Sequence, residues 1–191
     1  IFANIIIKMF RKLKVYELGR LSGEEFKVAP KSPIVIVLDN IRSQHNIGAA
    51  FRTADAFAAE EIVLCGICAT PPNAEIHKSA LGAEESVEWR YEEDAVKVVK
   101  ELKEKGYIIL TAEQTENSTS LENFRVEGSK KYAIVFGNEV KGVQQEVADL
   151  SDMVVEIPQE GTKHSLNVSV SIGIILWELF SQIRATARKR E

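Results

Sequence analysis

Short apolar runs bounded by turn residues recur along this chain, at Ile34–Leu38, Ile62–Cys65, Val87–Trp89, Tyr107–Thr111, Ala133–Phe136 and Met153–Glu156. Each is too short for a buried helix and suits a strand. Helical patterns lie between most of them. The clearest runs from Glu92 to Lys105, where Ala95, Val98, Val99 and Leu102 fall at three- and four-residue steps and Gly106 supplies a stop. Strands alternating with amphipathic helices predict an α/β domain with a largely parallel sheet flanked by helices. No internal repeat or low-complexity tract interrupts the pattern.

Composition sets further bounds. With 191 residues, 45% hydrophobic and 27% charged, the chain has the make-up of a well-packed globular domain. No apolar run reaches the roughly 20 residues needed to cross a bilayer. The segment Leu166 to Phe180 comes nearest, but Asn167, Ser169, Ser171 and Glu178 break it, as in a buried helix, and no membrane partner is expected. The stretch Ile1 to Phe10 is apolar but lacks a basic lead and a small-residue cleavage site, so it reads as an extension with Met9 as initiator. Residues 1–32 are expected to form a short N-terminal extension, with a short helix within 10–32 and the linker Ala29-Pro30-Lys31-Ser32-Pro33; residues 33–191 form the main domain.

A net charge of −4 argues against a protein that coats nucleic acid by global attraction. Any such attraction has to be local. The candidates are Lys8, Arg11, Lys12 and Lys14 near the start, and Arg184, Arg188, Lys189 and Arg190 at the end, where basic residues also match a helix dipole. Cys65 and Cys68 form a C-x-x-C, yet Cys68 runs into Thr70-Pro71-Pro72, a turn, and His77 alone does not complete a zinc site. Reduced thiols, a cytoplasmic location and no metal are expected.

Three segments carry candidate chemistry. Asn46-Ile47-Gly48-Ala49-Ala50-Phe51-Arg52 follows the first apolar run, placing Asn46 on a strand-to-helix loop and Arg52 inside the helix. Phe136-Gly137-Asn138-Glu139-Val140-Lys141-Gly142 sets a glycine-flanked carboxylate at the end of a strand. The run Ile157-Pro158-Gln159-Glu160-Gly161-Thr162-Lys163-His164-Ser165-Leu166-Asn167-Val168-Ser169-Val170 passes from a Pro/Gly loop into an apolar helix, with Ser165 or Asn167 available as N-cap. Free backbone N–H groups at such a junction suit a nucleotide or an anion.

In this order the segments match N-x-G-x-x-x-R, F-G-x-E-x-x-G and I-P-x-x-G-x-x-x-S-L-N-V-S-V. The chain resembles the SpoU/TrmH branch of the SPOUT RNA methyltransferases over residues 33 to 185, departing from the commonest family text at Gln159 and Lys163-His164. The resemblance implies a SPOUT-type α/β knot with a deep C-terminal trefoil knot, a homodimer, and ribose 2'-O-methylation of transfer or ribosomal RNA with S-adenosylmethionine as donor. Transfer RNA stands slightly ahead as substrate. By motif position it implies catalytic roles for Asn46, Arg52, Glu139, Ser165 and Asn167, and cofactor contacts from Gly137, Ile157 and Leu166, with Thr111 or Ala112 after the Tyr107–Leu110 strand. Arg52 suits a phosphate better than a proton, since a guanidinium stays charged; Glu139 would hold Arg52 or accept from the substrate. His45 and His164 border two motifs at positions that the family leaves free and read as solvated loop residues. The alternative is a non-catalytic RNA-binding module that retains the fold. A doubly wound oxidoreductase would need a G-x-G-x-x-G after the first strand, which the sequence lacks.

Overall fold

The structure, a computed structural model, describes residues 10–188. A 3-10 turn (Val15–Leu18) and helix α1 (Gly23–Val28), capped by Ser22, precede strand β1 (Ser32–Asp39). The order continues α2 (Gln44–Ala56), β2 (Ala59–Cys65), α3 (Ala74–Ala80), α4 (Ala83–Ser86), β3 (Trp89–Glu92) and α5 (Ala95–Glu104). Then follow β4 (Tyr107–Ala112), β5 (Thr119–Ser120), β6 (Lys131–Phe136), α6 (Gln145–Leu150), β7 (Met153–Glu156) and α7 (Val168–Arg188).

The strands form one sheet in the order β3-β2-β1-β6-β4-β7-β5, and every pairing between them is parallel. A parallel sheet covered on both faces buries every residue of its central strands, which explains the unbroken apolar run of β1. Its alternate residues serve two cores. Ile34, Ile36 and Leu38 join Phe51 of α2 and Ile172, Ile175, Leu176 and Leu179 of α7. Val35 and Val37 join Val98, Val99 and Leu102 of α5. The chain runs outward from β1 to β2 and β3 on one side, and β6, β4 and β7 lie on the other. Sequence order therefore breaks beside β1, and the strand ends there open a crevice of the kind that binds ligands in parallel sheets.

Several boundaries differ from the sequence reading. Val87 lies before β3, which runs on to Glu92, so α5 starts later than Glu92, at Ala95. Asp94 caps it by accepting from the Val96 N–H at 2.8 Å. Ser32 and Pro33, read as linker, open β1: the Ser32 N–H donates to Ala58 O at 2.7 Å, and the register with β2 shifts there, where proline's missing N–H is tolerated. Asn46 sits in the first turn of α2 rather than on the loop before it.

Helix α7 spans 21 residues and is long and apolar enough by composition to cross a bilayer. One face packs on the sheet, however, and its Phe180 meets Phe57, at the end of α2, with ring centroids 5.2 Å apart. The other face leaves Val170, Ile174 and Trp177 exposed, at 48%, 37% and 56%. Cys65 and Cys68 are free and buried, and burial pushes their thiols up to about 12 and about 11. Cys68 Sγ accepts from the Ile41 N–H at 3.2 Å, as a packed thiol does.

Candidate active site

The loop after β1 and the loop after β6 meet through one carboxylate. Glu139 accepts from the backbone N–H groups of Arg42 and Ser43, both at 3.0 Å, and from Asn46 Nδ2 at 3.1 Å. The first two donors sit just ahead of α2, and Ser43 itself caps that helix through the Asn46 N–H at 3.2 Å. Desolvation raises the Glu139 pKa, but the hydrogen bonds from Arg42, its own backbone, Ser43 and Asn46 outweigh it and hold the carboxyl below its ordinary value. Asn46 is buried, 6% exposed, with its side chain committed to this contact.

The glycines of the second segment have packing reasons. A Cβ on Gly137 would run into the backbone of Gly142 and Val143, and one on Gly142, at φ +70°, would meet the Glu113 carboxylate. Asn138 closes the same turn: its Oδ1 accepts from the N–H groups of Val140 and Lys141 at 3.0 Å, and its Nδ2 donates to Asn40 O at 2.8 Å. Gly48 in α2 sits so close to α3 that a Cβ would strike Ser79 Oγ and Ile76 O.

The third segment is drawn to the same end of the sheet. β6, β4 and β7 are neighbours, so the loops leaving their C-terminal ends lie side by side. Glu113, just past β4, accepts from the Val143 N–H at 3.1 Å and donates its own N–H to Val155 O at 3.2 Å. Gln114 Nε2 donates to His164 O at 3.0 Å and ties the Pro/Gly loop to β4. Ile157 and Leu166 are half-buried, Ile157 against the core. Thr111 is fully buried with its hydroxyl bonded to Ser151 Oγ at 2.7 Å, and Ala112 is half-buried beside it. The Ser120 hydroxyl, paired in register with the residue before Ile157, is buried without a partner. A cavity of about 610 Å³ lies between α7, Leu121 and Pro158. Of the residues assigned to cofactor contacts, only Ile157 lines it.

The structure thus brings Asn46 and Glu139 together but does not join Glu139 to Arg52, as the sequence reading allowed. Arg52 is exposed and makes no ion pair or side-chain hydrogen bond among the described residues. Six residues at about 3.6 per turn leave it on a different face of α2 from Asn46. Ser165 is exposed on the loop. Asn167, not Ser165, caps α7, accepting from the Ser169 N–H at 2.8 Å. His45 and His164 are both exposed. Arg11 is paired with Glu17 at 2.8 Å, and Arg184 stacks 5.2 Å from the Phe180 ring, so neither cation is wholly free. Lys8, Met9, Lys189 and Arg190 lie outside the described residues.

Sequence reasoning missed four residues that position these loops: Asp39, Glu113, Gln114 and Gln144. Asp39 is buried at the end of β1 and accepts from Gln144 Nε2 at 2.8 Å and the Gln144 N–H at 3.2 Å. A carboxylate closing an apolar strand was the available signal, because buried charge requires partners.

Comparison with known proteins matches residues 33–177 to the SpoU rRNA Methylase family. A protein of Nitrosomonas europaea named 23S rRNA (guanosine-2'-O-)-methyltransferase RlmB is 35% identical over 150 residues, 78% of this chain and 56% of that protein. The RlmB of Neisseria meningitidis is 35% identical over 146 residues, 76% of this chain and 57% of its own length. The chain therefore spans little more than half of these curated relatives. Among solved structures, a TrmH/SpoU tRNA modifying enzyme of A. aeolicus superposes with a TM-score of 0.75 at 27% identity, over 86% of this chain and 82% of that one. An AdoMet-bound rRNA methyltransferase from Sinorhizobium meliloti gives 0.73 at 25% identity, over 78% and 56%. With the family match covering most of the chain and the sheet shared with these enzymes, the chain belongs to the SpoU rRNA Methylase family.

Proposed function

We propose that this chain is an S-adenosylmethionine-dependent RNA methyltransferase acting on a ribose 2'-hydroxyl. The observation that carries the reading is the Glu139 anchor, which fixes the segment holding Asn46 and Arg52 to the loop after β6. S-adenosylmethionine, when bound, supplies an electrophilic methyl group. The residues fit such a group in character: Ile157 and Leu166 are apolar and half-buried on the segment after β7, and an unpartnered Ser120 hydroxyl stands at the same strand ends. Ala112, Gly137, Ile157 and Leu166 would hold it through backbone groups. The Thr111 hydroxyl is already engaged, so that residue contributes only its main chain.

The chain's own work is to bind the RNA backbone, orient the hydroxyl and stabilise the charge that develops on its oxygen. Exposed Arg52 has five donors free for a phosphate and is the phosphate clamp. Glu139 already accepts three hydrogen bonds and its proton affinity is lowered, so it positions Asn46 instead of taking the hydroxyl proton. Ser165, and Asn167 with the helix terminus it caps, orient the acceptor nucleotide.

Residues 33–191 are the catalytic unit in this reading and 1–32 a short extension. The C-terminal part threads as a trefoil knot, consistent with β6 lying between β1 and β4. A homodimer is supported by the apolar face of α7 at Val170, Ile174 and Trp177, and a cytoplasmic location without membrane attachment is part of the same proposal. Ribosomal RNA moves ahead of transfer RNA as substrate, because the relatives from Nitrosomonas and Neisseria are named for 23S rRNA guanosine.

Transfer of labelled methyl from S-adenosylmethionine to unmodified ribosomal and transfer RNA, followed by alkaline digestion, tests the proposal. Label in alkali-resistant dinucleotides is expected. Measurable cofactor binding with no label on either RNA would overturn it in favour of a non-catalytic RNA-binding module.

A further inference from the structure

Three metal-ligating side chains, none of them in the three motif segments, converge between α3 and α4. Leu81 (φ 55°) and Gly82 (φ 91°) are consecutive left-handed residues that reverse the chain between these two short helices. The reversal faces His77 of α3 toward Glu84 and Glu85 of α4, and one ligand atom from each lies within 4.8 Å of the other two. Their side chains line a cavity of about 530 Å³ walled by Pro71, Pro72, Asn73 and Trp89.

Glu84 is the informative member. Its side chain is only 8% exposed, Oε1 meets His77 Nδ1, and Oε2 is buried with no hydrogen-bond partner. Neither Glu84 nor Glu85 pairs with a lysine or arginine among the described residues, and the nearby Lys78 is engaged with Glu75 at 2.6 Å. A buried carboxylate oxygen without a donor or cation is costly. A divalent cation held between His77, Glu84 and Glu85 would neutralise both carboxylates at once and offset the cost of the buried Glu84 carboxylate.

We propose that His77, Glu84 and Glu85 form a binding site for a first-row divalent cation, Zn²⁺ being the best match, with remaining positions open to the cavity. One imidazole nitrogen with two carboxylate oxygens suits Zn²⁺, whereas Ca²⁺ and Mg²⁺ prefer all-oxygen sets. Along the sequence His77 stands without partner ligands, because Glu84 and Glu85 reach it only through the α3–α4 reversal. The site does not depend on the methyl-transfer reading.

The test is calorimetric titration of the chelator-stripped full chain with Zn²⁺, alone and in the variants Glu84→Gln and His77→Gln. Saturable uptake of one ion per chain is expected, with affinity lowered at least tenfold in each variant. His77 is largely exposed, so His77→Gln keeps the fold and decides the matter if Glu84→Gln is unstable. Absence of saturable uptake, or uptake unchanged in His77→Gln, would overturn the assignment. Co²⁺ loading locates the ligands: thiolate-to-cobalt absorption would place the ion on Cys65 and Cys68 and overturn it equally.

Discussion

Replacing Glu139 by alanine leaves three donors without their acceptor: the N–H groups of Arg42 and Ser43 and the amide of Asn46. Hydrogen bonds to a charged group contribute about 1.5–3 kcal/mol each when buried. Glu139 is largely exposed and water can replace part of what is lost, so screening reduces the sum to about 1–2 kcal/mol for Glu139→Ala. Glu139→Gln keeps one accepting oxygen and should lose about half of that. The sign with pH follows from the depressed folded pKa. The stabilisation is fully present above the ordinary value of 4.5 and is lost as pH falls through the lower folded value. Urea unfolding followed by circular dichroism, at pH 7 and again near the bottom of the carboxylate range, measures both. The gap between wild type and Glu139→Gln should be open at pH 7 and close in acid. A gap that is absent at pH 7, or that persists in acid, would refute the anchoring role. Asn46→Ala, combined with Glu139→Ala in a double-mutant cycle, should show a coupling of about 0.5–1 kcal/mol.

Gly48→Ala should destabilise the protein by about 1–3 kcal/mol in thermal or urea unfolding, because its new methyl meets the Ile76 carbonyl of α3; a neutral result would show that the two helices can part without cost. Arg52→Ala should abolish methyl transfer while leaving unfolding and S-adenosylmethionine binding unchanged, and equal loss of cofactor binding would remove its assignment to RNA. Asn167→Ala should cost about 1 kcal/mol through loss of the α7 cap, with turnover falling further than that stability loss explains. Trp177→Glu should convert a dimer to a monomer in analytical ultracentrifugation, and a wild-type chain that is monomeric at micromolar concentration would end the dimer proposal.

Much of the fold can be read along the chain because burial on both faces of a parallel sheet writes itself as an unbroken apolar run. That is how β1, β4, β6 and β7 are recognisable within a residue or two, and β2 within three because Glu60 and Glu61 interrupt its apolar start, and how α7 stands out as a long apolar helix. β5, with two residues, is too short to leave a period, and the start of α5 was obscured because Glu92 continues β3. The three motif segments are likewise local texts, legible as text. Which of their side chains meet is a matter of long-range geometry. Glu139 reaches across more than ninety residues to Asn46, and Asp39 across 105 to Gln144, while Arg52, six residues from Asn46, stands on another face of the same helix. The convergence of His77 with Glu84 and Glu85 likewise depends on two left-handed residues, Leu81 and Gly82, whose effect on direction no periodicity records. Local sequence determines what each segment becomes, since propensity and burial pattern act between near neighbours. The order of strands and the partners of polar groups are decided only when the cores close and each buried donor and carboxylate must find its counterpart.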